Sequence, residues 1–260
     1  MPTLTLGQYD LVYSSLSFTI ATMGAAFVFF LLSRNTVAYK YQRVMVIAAI
    51  IVGVAAYHYV RMFSSWSSAF SSTGTTYVPT SEPFNEAYRY ADWLLTVPLL
   101  LVELIAVLNL TGQQRSGLIA RLVVAAGLMV ALGYPGEISS DVSTRLVWGT
   151  LSTIPFIYII YVLWRELGVV MARESAEVRV LLRNLRLLLL ASWGVYPIAY
   201  LLPILNLNPA LALVSRQVGY SIADILAKPA YGLLIYAIAR IKTRQESAVA
   251  PEGALVAAHL

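Results

Sequence analysis

Seven apolar runs govern what this chain can fold into. They lie near 10–33, 41–63, 85–109, 118–135, 142–167, 179–204 and 210–240, and each is close to the roughly 20 residues a helix needs to span the hydrocarbon, or longer. Hydrocarbon offers the backbone no water to pair with, so a run of this length crosses as a helix. The predicted fold is all-α, a seven-transmembrane-helix bundle. It forms one membrane domain over 1–260, with 241–260 as a flexible tail. Charged residues make up only 12% of the chain, about half the soluble norm. Turn-like clusters such as Ser33-Arg-Asn-Thr and Leu207-Asn-Pro separate the runs. The Ser-rich connection 64–83 is long enough for a small hairpin over the membrane surface. The start, Met1 to Gly7, has no basic stretch ahead of an apolar core, so no cleavable signal peptide is expected.

Basic residues orient the bundle. Arg34, Lys40, Arg43, Arg115, Arg121, Arg165, Arg173, Arg179, Arg183, Arg186, Arg240, Lys242 and Arg244 flank alternate connections, and they are thirteen of the 18 Lys and Arg. The other connections carry Glu82, Glu86, Glu137 and Asp141. The N-terminus is therefore expected outside and the C-terminus in the cytoplasm, in a multi-pass plasma-membrane protein. This asymmetry accounts for the net charge of +5, so nucleic acid is not an expected partner. With no cysteine and only His58 and His259, neither thiolate chemistry nor a metal site is expected.

Lys228 lies near the middle of the last run, where an ammonium costs roughly 2.5–3.5 kcal/mol even on the lenient insertion scale. Asp224, four residues earlier, is one helical turn away on the same face and supplies a partner. A desolvated lysine also loses its proton readily and condenses with aldehydes. The third run adds Arg89, Asp92, Thr96 and Glu103. At 100° per residue, Thr96 lies about 40°, Glu103 about 20° and Arg89 about 60° from Asp92, so all four share one face. Asp92 alone could be a snorkelling end residue or half of a structural ion pair. Glu103 is deep in Leu-Leu-Leu-Val-Glu-Leu-Ile-Ala-Val and is harder to explain that way. Ionisable groups in series across a membrane suit a proton pathway. Asp92 and Asp224 lie outward of Lys228 and Glu103 inward of Asp92, an order that suggests outward transport.

The chain resembles the microbial (type 1) rhodopsins over all seven runs. The resemblance is carried by Arg-Tyr-Ala-Asp-Trp-Leu-Leu-Thr-Val-Pro-Leu-Leu-Leu-Val-Glu (89–103), Trp-Gly-Thr-Leu-Ser-Thr-Ile-Pro-Phe (148–156), Trp-Gly-Val-Tyr-Pro (193–197) and Asp-Ile-Leu-Ala-Lys (224–228). It implies a light-driven proton pump, not an enzyme, with all-trans-retinal in the core, covalently bound to Lys228 as a Schiff base. By the same resemblance Asp92 is counterion and proton acceptor, Glu103 the cytoplasmic proton donor and Asp224 the second counterion. His58 would be the partner of Asp92. Trp93, Trp193, Tyr196 and Pro197 would line the polyene, and Tyr90, Leu100, Met129, Gly133, Ser152, Thr153 and Phe156, with Thr96, would complete the pocket.

The triplet Asp92, Thr96, Glu103 resembles that of proteorhodopsin and xanthorhodopsin-type proton pumps. No acid lies between Pro203 and Asp224, so half of the outer release site of archaeal pumps is missing. Gly149 stands where many relatives have a bulky Trp. A Gly there implies an opening toward lipid, as in xanthorhodopsin-like proteins with a carotenoid antenna, and makes lutein or zeaxanthin a candidate second chromophore; another side chain or lipid filling the gap is the plainer alternative. The lipid bilayer and a homo-oligomer, trimer to pentamer, are the other expected partners. Two alternatives stay open. One is a photosensory receptor of the same fold, which needs a transducer. The other is a secondary transporter using Asp224–Lys228 as an ion pair, against which the lack of an internal repeat counts.

Overall fold

The computed structural model describes residues 1–108, 110, 112–205 and 207–249. Its spans are α1 (Leu6–Ser33), α2 (Tyr39–Ala69), α3 (Ala87–Val107), α4 (Gly112–Glu137), α5 (Val142–Met171) and α6 (Ala176–Leu201). The seventh combines α7 (Pro209–Ile225) and α8 (Tyr231–Val249), joined by a π-helical stretch, Leu226–Ala230. Local sequence sets several starts. Thr5 and Gln8 cap α1 reciprocally, side chain to backbone. Asn208 accepts from the amides of Ala210 and Leu211 ahead of Pro209, which opens α7 with no N–H to satisfy. Asp141 caps α5, and hydrogen bonds from the Thr144 side chain and backbone hold its carboxyl below the usual carboxylate range.

Two spans run past their expected ends. α2 continues to Ala69, beyond 63, and α8 continues to Val249, beyond 240. Residues 241–249, read from the sequence as the start of a tail, are tied to other elements. The Ala38 amide donates to Thr243, Tyr41 and Lys40 both reach Glu246, and Gln245 donates to Ser175. The rest of the expected tail, 250–260, lies outside the described residues.

Consecutive spans pack side by side, and the seventh closes the ring against α1 and α6. The third and seventh spans bury 56% of their most apolar windows, against 17% for α5. Polar residues on α3 and α7 therefore face protein, while α5 turns Ile154 and Ile157 outward. The hairpin foreseen in the Ser-rich connection is β2 (Phe70–Ser72) with β3 (Thr76–Pro79), turned through Gly74 at φ 92°. Such a φ suits a residue without Cβ. β1 (Leu4–Thr5) adds a third antiparallel strand, in the order β1-β3-β2. Tyr9 of α1 stacks on Tyr77 of β3 at 3.6 Å and packs on Trp66 of α2, which fastens the sheet to one end of the bundle. This sheet end carries the starts of α1, α3, α5 and α7.

Candidate functional site

The centre of the site is set by the join between α7 and α8. Pro229 has no backbone N–H to donate, and the chain accommodates it with a wider π turn over Leu226–Ala230. Lys228 lies in that turn, 2% exposed. Its Nζ donates to Asp92 Oδ2 at 2.8 Å and to Asp224 Oδ1 at 2.7 Å. An unpaired buried charge would be very costly, and here the amine is held between two carboxylates from different spans.

The two carboxylates are not equivalent. Asp224 is saturated: Tyr196 donates to Oδ1 at 2.7 Å, Trp93 Nε1 to the same oxygen at 3.2 Å, and Tyr59 to Oδ2 at 2.7 Å. Arg89 Nη1 stands 3.6 Å from Asp224 Oδ2 and donates to the Tyr59 hydroxyl at 3.0 Å. Asp92 Oδ1 is buried with no hydrogen-bond partner. Thr96 donates to the Asp92 carbonyl at 2.9 Å, so it steadies the backbone there and leaves the carboxylate free.

Arg89, Asp92, Thr96 and Glu103 are all buried on one face of α3, at 0–1% exposure. Glu103 stands apart from the Lys228 cluster, among Leu100, Leu104 and Tyr231 of the apolar core. Its Oε1 has no partner, and the Tyr231 hydroxyl is engaged by the Leu100 carbonyl at 2.9 Å.

Lys228 also lines a cavity within the bundle. Tyr90, Trp93, Leu100, Met129, Gly133, Ser152, Thr153, Phe156, Trp193, Tyr196 and Pro197 all line it, as does Gly149. Among the described residues, Lys228 is the only charged one that lines it. An apolar, aromatic-walled cavity lined by one amine matches the chemistry of retinal, a long apolar aldehyde.

Three expectations change in detail. Thr96, expected in the pocket, is not among the residues lining the cavity and bonds the Asp92 carbonyl instead. No hydrogen bond joins His58 to Asp92; the imidazole is half-buried and its Nδ1 is unpartnered. One residue is 100° of helix, and that rotation puts Tyr59 into the carboxylate cluster instead. Nor is Gly149 an uncovered opening. A Cβ built there would lie 2.6 Å from Tyr200 Cε1, so the Tyr200 ring of α6 covers this position. Tyr200 is held by its hydroxyl donating to the Arg145 carbonyl at 2.7 Å.

Tyr59, Gln217, Tyr220, Tyr200, Val97, Val130 and Ala227 were not foreseen as site residues. Helical spacing would have found two of them. Gln217 and Tyr220 precede Asp224 by two turns and one turn on the same face. Gln217 accepts from Arg89 Nη2 at 2.9 Å; Tyr220 stacks edge-on against Trp93.

The sequence profile of the bacteriorhodopsin-like protein family matches residues 11–242. The green-light absorbing proteorhodopsin of a gamma-proteobacterium is 28% identical over 247 residues, 92% of each chain. Bacteriorhodopsin of Halobacterium salinarum is 33% identical over 183 residues, 66% of this chain and 65% of that one. Among solved structures, xanthorhodopsin, described as a light-driven ion pump with dual chromophore, superposes with a TM-score of 0.90 at 53% identity, covering 95% of this chain and 99% of the other. Thermophilic rhodopsin gives 0.90 at 52% identity with the same coverage. With its seven helical spans and a buried lysine lining an apolar cavity, the chain belongs to the bacteriorhodopsin-like family of microbial rhodopsins.

Proposed function

We propose that this protein is a light-driven outward proton pump that carries all-trans-retinal on Lys228. The observation that carries the reading is the Lys228 nitrogen held between Asp92 and Asp224, on a lysine that lines the apolar cavity. Bound there as a protonated Schiff base, retinal supplies absorption of light and a light-driven change of shape at the nitrogen.

The residues divide the proton work according to their free valences. Asp92 takes the proton of the Lys228 nitrogen, because Oδ1 is open to receive it. Protonating Asp224 would cost hydrogen bonds from Tyr196, Trp93 and Tyr59, so it stays ionised and holds the nitrogen in place. Glu103, buried in the apolar core with its Oε1 unpartnered among the described residues, rests with its proton on, since a lone charge there would be costly. It returns that proton to the Lys228 nitrogen from the side away from the sheet. His58, beside Tyr59 on α2, is assigned an adjusting role on Asp92.

Direction follows from charge. The basic connections lie at the end opposite the sheet, which the positive-inside rule places in the cytoplasm. Asp92 then lies on the outer side of Glu103, with the N-terminus outside. Leu100 and the apolar wall favour green absorption. A carotenoid antenna approaching at Gly149 is supported by the dual chromophore of xanthorhodopsin; it requires the Tyr200 ring to move.

The test is illumination of an unbuffered suspension of cells that make the protein and are supplied with retinal. External acidification abolished by a protonophore is expected, and none from Lys228→Ala, which should fold without colour. Alkalinisation, or a coloured Lys228→Ala protein, would overturn the reading.

A further inference from the structure

Between the Lys228 cluster and the sheet end, hydrogen bonds continue in an unbroken series. Arg89 reaches from Tyr59 to Gln217, whose Nε2 donates to Glu86 Oε1 at 2.8 Å. Arg216 bridges two carboxylates: Nη2 donates to Glu86 Oε1 at 2.7 Å and Nη1 to Glu137 Oε1 at 2.8 Å. Glu86 lies just ahead of α3 and is partly exposed, with a side chain 14% accessible, whereas the Glu137 side chain, at the end of α4, is 0% accessible. Glu137 Oε2 has no hydrogen-bond partner among the described residues, and Arg145 Nη1 stands 3.6 Å from it. Arg145 is itself fixed by the Glu137, Ser139 and Tyr200 carbonyls.

Resting on the pump reading, we propose that Glu137 and Glu86, bridged by Arg216, form the proton-exit site of this chain. None of these residues is on the stretch between Pro203 and Asp224 except Arg216, so the site is built from other spans. The unfilled Glu137 Oε2 is the receiving atom. A proton leaves Asp92, restoring its carboxylate, and an O–H bond forms at Glu137 Oε2. The acid so formed loses its charge attraction to Arg216 and Arg145, and it then gives the proton to water at the more exposed Glu86. The groups facing Glu137 are Arg216 from α7, Arg145 from α5, Glu86 and Arg89 from the α3 side, and the hydroxyls of Tyr90, Tyr220 and Tyr200. A buried carboxylate between two guanidiniums is held in place, yet keeps one oxygen open.

The experiment follows external proton release with a pH-indicator dye after a flash, alongside the colour changes of retinal-loaded protein in vesicles. Glu137→Gln, which still accepts from Arg216, should delay the dye signal by about 10²-fold, the lower end of what a positioned proton-transfer group contributes. The earlier colour changes should be unaltered. Glu137→Asp, which retains a carboxyl, should restore most of the speed; an Asp variant as slow as Gln would make the role structural and overturn the proposal. Unchanged dye timing in Glu137→Gln would also overturn it. If that variant assembles no pigment, Glu86→Gln is measured in the same way, and unchanged timing there counts equally against the exit site. A wild type without a visible band or external acidification would instead sink the pump reading, so the two failures are distinguishable.

Discussion

At the residue scale, what separates Asp92 from Asp224 is the number of donors each receives. Asp224 accepts from Lys228, Tyr196, Trp93 and Tyr59, while Asp92 accepts from Lys228 alone. Asp92→Asn is therefore expected to shift absorption to the red, by removing an anion beside the nitrogen, and to stop acidification; normal pumping would exclude Asp92 as acceptor. Tyr59→Phe should leave pumping present but weakened. It removes the donor to Asp224 Oδ2 and the acceptor of Arg89, and unpaired buried groups cost about 1–3 kcal/mol. Loss of colour on heating should thus begin at a lower temperature than in wild type. Glu103→Gln acts elsewhere: colour barely changes, but recovery of the Lys228 proton slows and becomes dependent on pH. A recovery as fast as wild type would remove Glu103 from the path.

At the scale of elements, Tyr200 of α6 sets the seam among α4, α5 and α6. Its hydroxyl would be the first atom met by a Cβ at Gly136, and its ring edge the first met at Gly149. Both glycines are required by that ring, a reason that generic close packing of small residues does not supply. Gly136→Ala should destabilise the protein by about 1–3 kcal/mol, as overpacking does, measured as earlier thermal bleaching. Gly149→Trp must displace Tyr200 and break its bond to the Arg145 carbonyl. Pumping should survive more slowly, and any carotenoid bands in the excitation spectrum of retinal fluorescence should disappear. Bands that persist in the Trp variant would remove Gly149 from the antenna.

At the scale of the whole molecule, two ends of different character emerge. Sheet, aromatic stacking and the Glu86–Arg216–Glu137 bridge close one end. The other holds the basic connections and the buried Lys242, which donates to the Val107 carbonyl at 3.0 Å and to Glu174 at 2.5 Å. A protease site added after the last described helix should be cut only in inside-out vesicles; cutting in intact cells would reverse the assigned direction.

The seven spans and the shared face of Arg89, Asp92, Thr96 and Glu103 were legible in the sequence. Apolar length and 100° periodicity are local properties that need no partner to be read. Much of the cavity lining was legible too, through the resemblance, though Tyr200, Tyr220, Val97, Val130 and Ala227 were not. The hairpin in the Ser-rich connection was legible as well. Beyond the Lys228–Asp224 pair, which polar atom meets which was not. That α2 brings Tyr59 to Asp224, and not His58 to Asp92, turns on how α2 is rotated against α7, and the covering of Gly149 on where α6 brings Tyr200. The exit site joins the start of α3, the end of α4 and the early part of α7. Those contacts depend on how the helices are placed around the ring, and a pattern along one helix carries no record of the rotation of its neighbours.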